Sequence, residues 1–267
     1  MRSWLQVYPA FLRTALLSSI QYRASGAIWM IGSILEPLIY LTVWSTVARS
    51  QGGEVGGYTA QEFAAYYAIL LLVNHLTFTW IMHEFQYRIQ YGSLSFALLR
   101  PVHPIHADIA ENIAFKAVQL VVILPGLILL CVAFRPHFEP VGWSLALFVP
   151  VLFFGFLLRF LIEWTLALGA FWTTRVTAMN QIYFSLLMFL SGRVAPISLL
   201  PLWVSDIAQN LPFYYAIGFP VELALGRLSP EAAMRGVLIQ LVWLAVSGVG
   251  ISLIWRRATK RFTAVGS

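Results

Sequence analysis

Four ionisable side chains lie inside long apolar stretches of the sequence: Glu36, Lys116, Arg159 and Glu163. A charge in hydrocarbon costs about 3 kcal/mol or more, so such residues pair with one another or serve a function. Arg159 and Glu163 stand four positions apart, the spacing of an ion pair on one helix face. We predict that they neutralise each other, with contact to a transported molecule as the alternative.

The other two charges are less constrained by their neighbours. Glu36 precedes Pro37, and no basic residue nearby in the sequence would neutralise it. It either pairs with a residue on another helix or faces a pathway, and both interpretations stay open. Lys116 lies near the end of its apolar stretch, where its ammonium could extend to the interface.

Motifs of known catalytic chemistry are missing from the sequence. A phosphate-binding loop needs a lysine after a glycine-rich turn, and neither Lys116 nor Lys260 has that context. His103 and His106 share a loop without a third metal ligand, and Cys131 is the single cysteine. We therefore predict no catalytic residue, no metal site and no cofactor bound by the chain itself, and hence no enzyme.

The composition indicates a membrane protein. Of 267 residues, 60% are hydrophobic and 10% are charged, against about 25% charged in soluble domains. The net charge of +6 is better explained by basic residues retained on one side of a membrane than by nucleic-acid binding. The apolar stretches are long and continuous, which predicts an all-α integral membrane protein in contact with lipid.

Six transmembrane helices are predicted, at about residues 27–47, 63–82, 113–134, 143–172, 180–190 and 237–255. The fifth is too short to cross alone. Residues 1–24 read as an amphipathic helix in the interface, and residues 25–267 as one membrane domain. A polar interruption, residues 83–108, predicts a short helix that docks onto a partner outside the membrane, and prolines and glycines predict a broken, re-entrant segment at 191–226.

Basic residues give the expected orientation. Ten lie on the side of the termini: Arg2, Arg13, Arg23, Arg88, Arg100, Arg175, Arg256, Arg257, Lys260 and Arg261. Five lie on the other side: Arg49, Arg135, Arg193, Arg227 and Arg235. This distribution predicts cytoplasmic termini, a cytoplasmic 83–108 loop and an extracellular 191–226 segment, in a multi-pass membrane protein.

The stretch SGRVAPISLLPLWVSDIAQNLPFYYAIGFPVELALG, residues 191–226, resembles the permease subunits of ABC-2 type exporters. The features shared with that family are a small-residue and proline break, an LP-x-W element, a short helix, and LP followed by aromatic residues: Ser191, Gly192, Pro196, Leu200, Pro201, Trp203, Leu211, Pro212, Phe213, Tyr214, Tyr215 and Pro220. The amphipathic start, the six-span layout and the loop between spans 2 and 3 also agree, so the resemblance covers nearly the whole chain.

The resemblance implies a transporter of two permeases, identical or paralogous, and two cytoplasmic ATPase subunits that bind ATP and Mg²⁺. The coupling residues that would meet the ATPase are Gly92, Leu94, Phe96, Leu98, Leu99, Arg100 and Pro101. A substrate pathway at the permease–permease interface would involve Glu36, Tyr40, Ser191, Gly192 and Pro196.

Two functions from other classes remain as alternatives. A proton-coupled secondary transporter would work without an ATPase and would need a titrating group in the membrane, for which Glu36 or Glu163 could serve. The sequence shows no internal repeat of the kind that such transporters contain. A membrane-embedded enzyme or assembly factor would need a catalytic cluster, and the sequence has none.

Overall fold

A computed structural model describes residues 4–139, 141–173 and 176–261, and the chain there is helical apart from one small hairpin. The helices are α1 (Trp4–Gln21), α2 (Arg23–Ser50), α3 (Ala60–Thr77), α4 (Ile81–Gln90), α5 (Leu94–Leu98), α6 (Ile105–Phe134), α7 (Gly142–Ala167), α8 (Thr177–Leu190), α9 (Leu202–Asn210), α10 (Pro212–Ala216), α11 (Gly218–Ala224) and α12 (Pro230–Arg261). Short 3₁₀ turns follow α7 and precede α9, at Leu168–Phe171 and Ile197–Leu199.

Five helical runs are long and apolar enough to cross a membrane: Arg23–Ser50, Ala60–Gln90, Ile105–Phe134, Gly142–Phe171 and Pro230–Arg261. The predicted all-α membrane protein is therefore confirmed. The remaining predicted span, the fifth, corresponds to α8, which has only 14 residues. A bilayer needs about 20 helical residues, so the six-span count stays a prediction.

Helix α3 forms the centre of the bundle. α3 belongs to the run Ala60–Gln90, and 72% of the residues in the most apolar segment of that run are buried. The corresponding share is 11–33% in the four other long runs. α3 packs against α2, α6, α7 and α11. Because α3 contacts these four helices and belongs to the most buried of the long runs, it is the element on which the others are positioned.

Residues 83–108, predicted as a polar interruption, are largely helical. α4 extends to Gln90 and α6 already begins at Ile105. Ile81, Met82 and Phe85 of α4 are buried, and α4 packs against α7. Because this apolar face is covered inside the chain, helical structure resumes after residues 78–80 and continues beyond the apolar stretch that marked the predicted span.

A hairpin, β1 (Glu54–Val55) and β2 (Tyr58–Thr59), joins α2 to α3. Its turn residues Gly56 and Gly57 have positive φ angles, which glycine adopts without strain. Thr59 caps α3, with its Oγ1 accepting from Glu62 N at 3.3 Å. We call this end of the bundle the hairpin end, and the opposite end, at residues 91–104, the α5 end.

The amphipathic start is a helix, as predicted, and α1 packs along α6, where the Tyr8 hydroxyl is 2.8 Å from His106 Nδ1. The predicted broken segment is also present. Between α8 and α12 the chain forms three short helices, and Pro201 and Pro212 each stand at the start of one of them. This segment lies toward the hairpin end, because Leu199 lies against Gly56.

Candidate functional site

The chain breaks its helical path directly after α8. Gly192 there has φ +89°, and Ser191, Gly192 and Pro196 are all buried. Irregular backbone at membrane depth needs hydrogen-bond partners inside the protein. Tyr66 donates to the Gly192 carbonyl at 2.7 Å, and this bond is buried.

Another carbonyl of the break, that of Val194, accepts two hydrogen bonds. Trp44 Nε1 of α2 and the Tyr67 hydroxyl of α3 reach the Val194 carbonyl at 2.8 Å and 2.7 Å. The ring of Tyr40 stacks on that of Tyr67, with centroids 6.4 Å apart. Aromatic side chains of two long helices thus hold residues 191–196 in place. The sequence pattern singled out the break but not these donors.

Glu36 lies halfway along α2 and forms an ion pair with Arg193. The Arg193 side chain is 14% exposed and that of Glu36 is 32% exposed. Of the two interpretations left open by the sequence, pairing with another segment is therefore observed. The predicted pathway residues all gather at this break, with Glu36 and Tyr40 reaching the outer surface of the bundle.

The predicted ion pair on α7 is also present. Arg159 Nε and Glu163 Oε1 are 3.2 Å apart, and both side chains are 1% exposed. Arg159 Nη1 also donates to Asn74 Oδ1 at 3.0 Å, so the pair ties α7 to the last turn of α3. This enclosure favours mutual neutralisation over contact with a transported molecule.

Lys116 is 7% exposed. Its Nζ turns one helical turn back along α6 and lies 3.4 Å from Asn112 O and Oδ1. The ammonium also stands 4.3 Å from the centre of the Phe156 ring. A cation in this position gains from both the amide oxygens and the ring face.

The predicted coupling residues divide into two groups at α5. Leu94 is 0% exposed and belongs to the main apolar core, whereas Phe96 is 70% and Leu99 82% exposed. Leu98 is half-buried and packs on the same core as Leu94, while Arg100 and Pro101 are exposed. Gly92, with φ +70°, makes the turn from α4 into α5.

An ion network joins the helices at the α5 end, and it was not predictable from the sequence. The guanidinium of Arg88 pairs with Asp108, and it also lies 3.1 Å from each of Glu84 and Glu111. Asp108 in turn accepts from Trp164 Nε1 at 2.9 Å. α4, α6 and α7 are thereby joined to one another at the α5 end of the bundle.

His103 completes this end of the molecule. Its ring lies against those of Trp255, with centroids 4.5 Å apart, and Trp164, at 5.5 Å. Its Nδ1 accepts from the backbone N–H of Ile105 at 3.3 Å, in the first turn of α6. Burial lowers the pKa of His103, and the nearby His106 adds to this effect while Asp108 opposes it.

Within residues 4–139, 141–173 and 176–261, no group of three or more His, Cys, Asp or Glu side chains is arranged to hold a metal ion. Comparison with curated proteins gives no match. Comparison with protein families matches residues 34–266 to the model described as ABC-2 family transporter protein. That match spans α2 to α12, including the break and α5. The chain is a multi-pass membrane protein, and it belongs to the ABC-2 transporter family as a permease.

Proposed function

We propose that this chain is the membrane subunit of an ATP-driven exporter in a bacterial inner membrane, with both termini in the cytoplasm. ABC-2 permeases associate with ABC ATPase subunits. In this proposal the ATPase binds ATP and Mg²⁺, and the present chain supplies the pathway and the coupling contact. The support for export, rather than import, is the resemblance of residues 191–226 to exporter permeases.

The observation that carries the proposal is the exposed apolar face of α5. Phe96 and Leu99 project from a short helix whose other side, at Leu94, is anchored in the core. An apolar face at the end of a bundle gains free energy when a partner groove covers it. Leu94 anchors α5 in the core, and Arg88 with its carboxylate partners joins α4, α6 and α7 at the same end of the bundle. Movement of the partner would therefore be transmitted from α5 through the core to these three helices.

A second permease, identical or paralogous, is part of the proposal. The outer face of α2 is apolar, with Leu35, Ile39 and Val43 exposed by 51–60%. Glu36 and Tyr40 lie beside this strip, and Glu36 keeps 32% of its side chain exposed. An ionised carboxylate facing lipid is unfavourable. A second permease, or a water-filled pathway between two permeases, would cover it.

The test is co-purification of the ATPase from the native membrane in a mild detergent. We expect Phe96→Asp and Leu99→Asp to release the ATPase, because each would bury a charge in an apolar groove. Leu202→Asp is the matched control, since Leu202 is 83% exposed and lies toward the hairpin end. Leu94→Asp is unsuitable because Leu94 is a core residue. Retention of the ATPase by both α5 variants would contradict the proposal.

The proton-coupled alternative depends on a free carboxylate in the membrane. Both candidates, Glu36 and Glu163, are instead paired with arginines. Transport that persists after ATP depletion and stops with an uncoupler would support that alternative.

A further inference from the structure

A cavity of about 350 Å³ opens near the α5 end, between the start of α2, the α3–α4 junction and α6. It is separate from the break that follows α8, and two of its lining residues, Glu84 and Glu111, also line the groove beside Phe96 of α5. Aromatic rings from three elements form a continuous wall. Trp29 and Trp80 meet edge to face at 5.0 Å, Phe78 lies 6.2 Å from Trp80, and Phe115 lies 6.4 Å from Phe78.

The mouth of this cavity carries negative charge. Glu84 and Glu111 line it, and their side chains are 49% and 55% exposed. Both share the guanidinium of Arg88 with Asp108, so three carboxylates face one cation. The network therefore has an excess of negative charge. The ammonium of Lys116 does not compensate for it at the mouth, because it lies over the Phe156 ring.

The floor of the cavity offers an amide. Gln119 lines the cavity and is 2% exposed. Gly26 makes room for it, since a Cβ at that position would collide with the Gln119 amide. Because the Gln119 amide both donates and accepts hydrogen bonds, it offers a polar contact to a bound molecule.

We propose that this cavity binds an organic cation with apolar substituents. Aromatic faces attract a desolvated cation, and the attraction grows when water is excluded. The carboxylates at the mouth balance its charge, and the apolar walls cover its substituents. An aminophospholipid headgroup and a free lipophilic cation share this chemistry. Binding at the cavity requires neither the ATPase nor the second permease.

The test is equilibrium binding of radiolabelled tetraphenylphosphonium to the full-length chain in neutral detergent micelles. Binding of radiolabelled tetraphenylborate, which has the same shape and the opposite charge, is measured in a separate experiment and isolates the contribution of charge. We expect the combined Glu84→Gln and Glu111→Gln variant to weaken binding about tenfold, and Trp29→Ala about fivefold. The matched control is the combined Glu54→Gln and Glu139→Gln variant, which removes two carboxylates at the hairpin end and should bind as the unaltered chain does.

Competition by lipids distinguishes the two possible ligands, an aminophospholipid headgroup and a free lipophilic cation. Displacement by phosphatidylethanolamine but not by phosphatidylglycerol would identify a headgroup, and displacement by neither would identify a free cation. Size-exclusion profiles of the variants confirm that each is folded. The proposal is overturned if tetraphenylborate binds as tightly as tetraphenylphosphonium does, or if the cavity variants and the control bind alike.

Discussion

Glu36 and Arg193 stand 157 positions apart in the sequence and form an ion pair about halfway along the length of α2. Glu36 comes from the midpoint of a long helix, whereas Arg193 comes from irregular backbone just beyond the end of a short one. The pair therefore links α2 to the break that gives the family its recognisable sequence pattern. The ion pair should therefore stabilise the fold, and unfolding measurements detect this contribution independently of transport.

Glu36→Gln should lower the free energy of unfolding by about 1–3 kcal/mol, because Arg193 would lose its charged partner. The partial exposure of Glu36 keeps this loss below the 3–5 kcal/mol typical of a fully buried pair. Thermal unfolding of the purified chain measures it. The exchange of both residues, Glu36→Arg with Arg193→Glu, should restore part of the loss, and an exchange variant less stable than Glu36→Gln would argue against a pairwise interaction.

The two donors to the Val194 carbonyl should not contribute additively. Trp44→Phe or Tyr67→Phe alone leaves one hydrogen bond in place, so each should cost less than about 1 kcal/mol. The double variant leaves the carbonyl without a donor at membrane depth and should cost about 1–3 kcal/mol more than the sum of the two single losses. A double-variant cycle of unfolding measurements gives the coupling, and strict additivity would contradict the shared acceptor.

Much of this architecture follows from the sequence because the signals are local. Long apolar stretches predict helices, and Arg159 and Glu163 are recognisable as a pair since both lie on one helix face. Ser191, Gly192 and Pro196 likewise mark the break where they stand. In each case the information is contained within a few consecutive residues.

Relations between distant segments were not predictable in this way. Arg88 and Asp108 lie on different helices, and Trp164 reaches Asp108 from a third. The helix over residues 81–90 was not predicted for the same reason. Phe85 belongs to a polar stretch by composition, yet α7 covers it, and only tertiary packing reveals that the stretch continues as a helix.

The two sides of α5 should respond differently to truncation. Leu94→Ala should cost about 2–5 kcal/mol of stability, because it leaves a cavity in a packed core. Phe96→Ala should change stability by less than about 0.5 kcal/mol, since the side chain is 70% exposed. Chemical unfolding of both variants in the absence of the ATPase provides the comparison. Equal losses would mean that Phe96 is covered within the chain, contrary to a role as a free docking face.

His103 should make the chain less stable in mildly acidic solution. Its pKa is lowered by burial in the folded chain, whereas the unfolded value is about 6.5. Below that value the unfolded chain binds more protons than the folded chain does, so stability falls as the pH decreases through about 6.5 toward the folded pKa. Protonation of Nδ1 would also remove the acceptor for Ile105 N–H, and it would place a positive charge at the start of α6, where the helix dipole disfavours it.

The matched variant for this effect is His103→Asn, which keeps an acceptor near Nδ1 and does not titrate. We expect its melting temperature to fall less than that of the unaltered chain between about pH 7 and pH 5. His137→Asn serves as the control, because His137 lies at the hairpin end with 62% of its side chain exposed. If His103→Asn and His137→Asn show the same pH dependence, the acid sensitivity arises elsewhere in the chain, and the contacts of His103 with Trp164 and Trp255 do not control it.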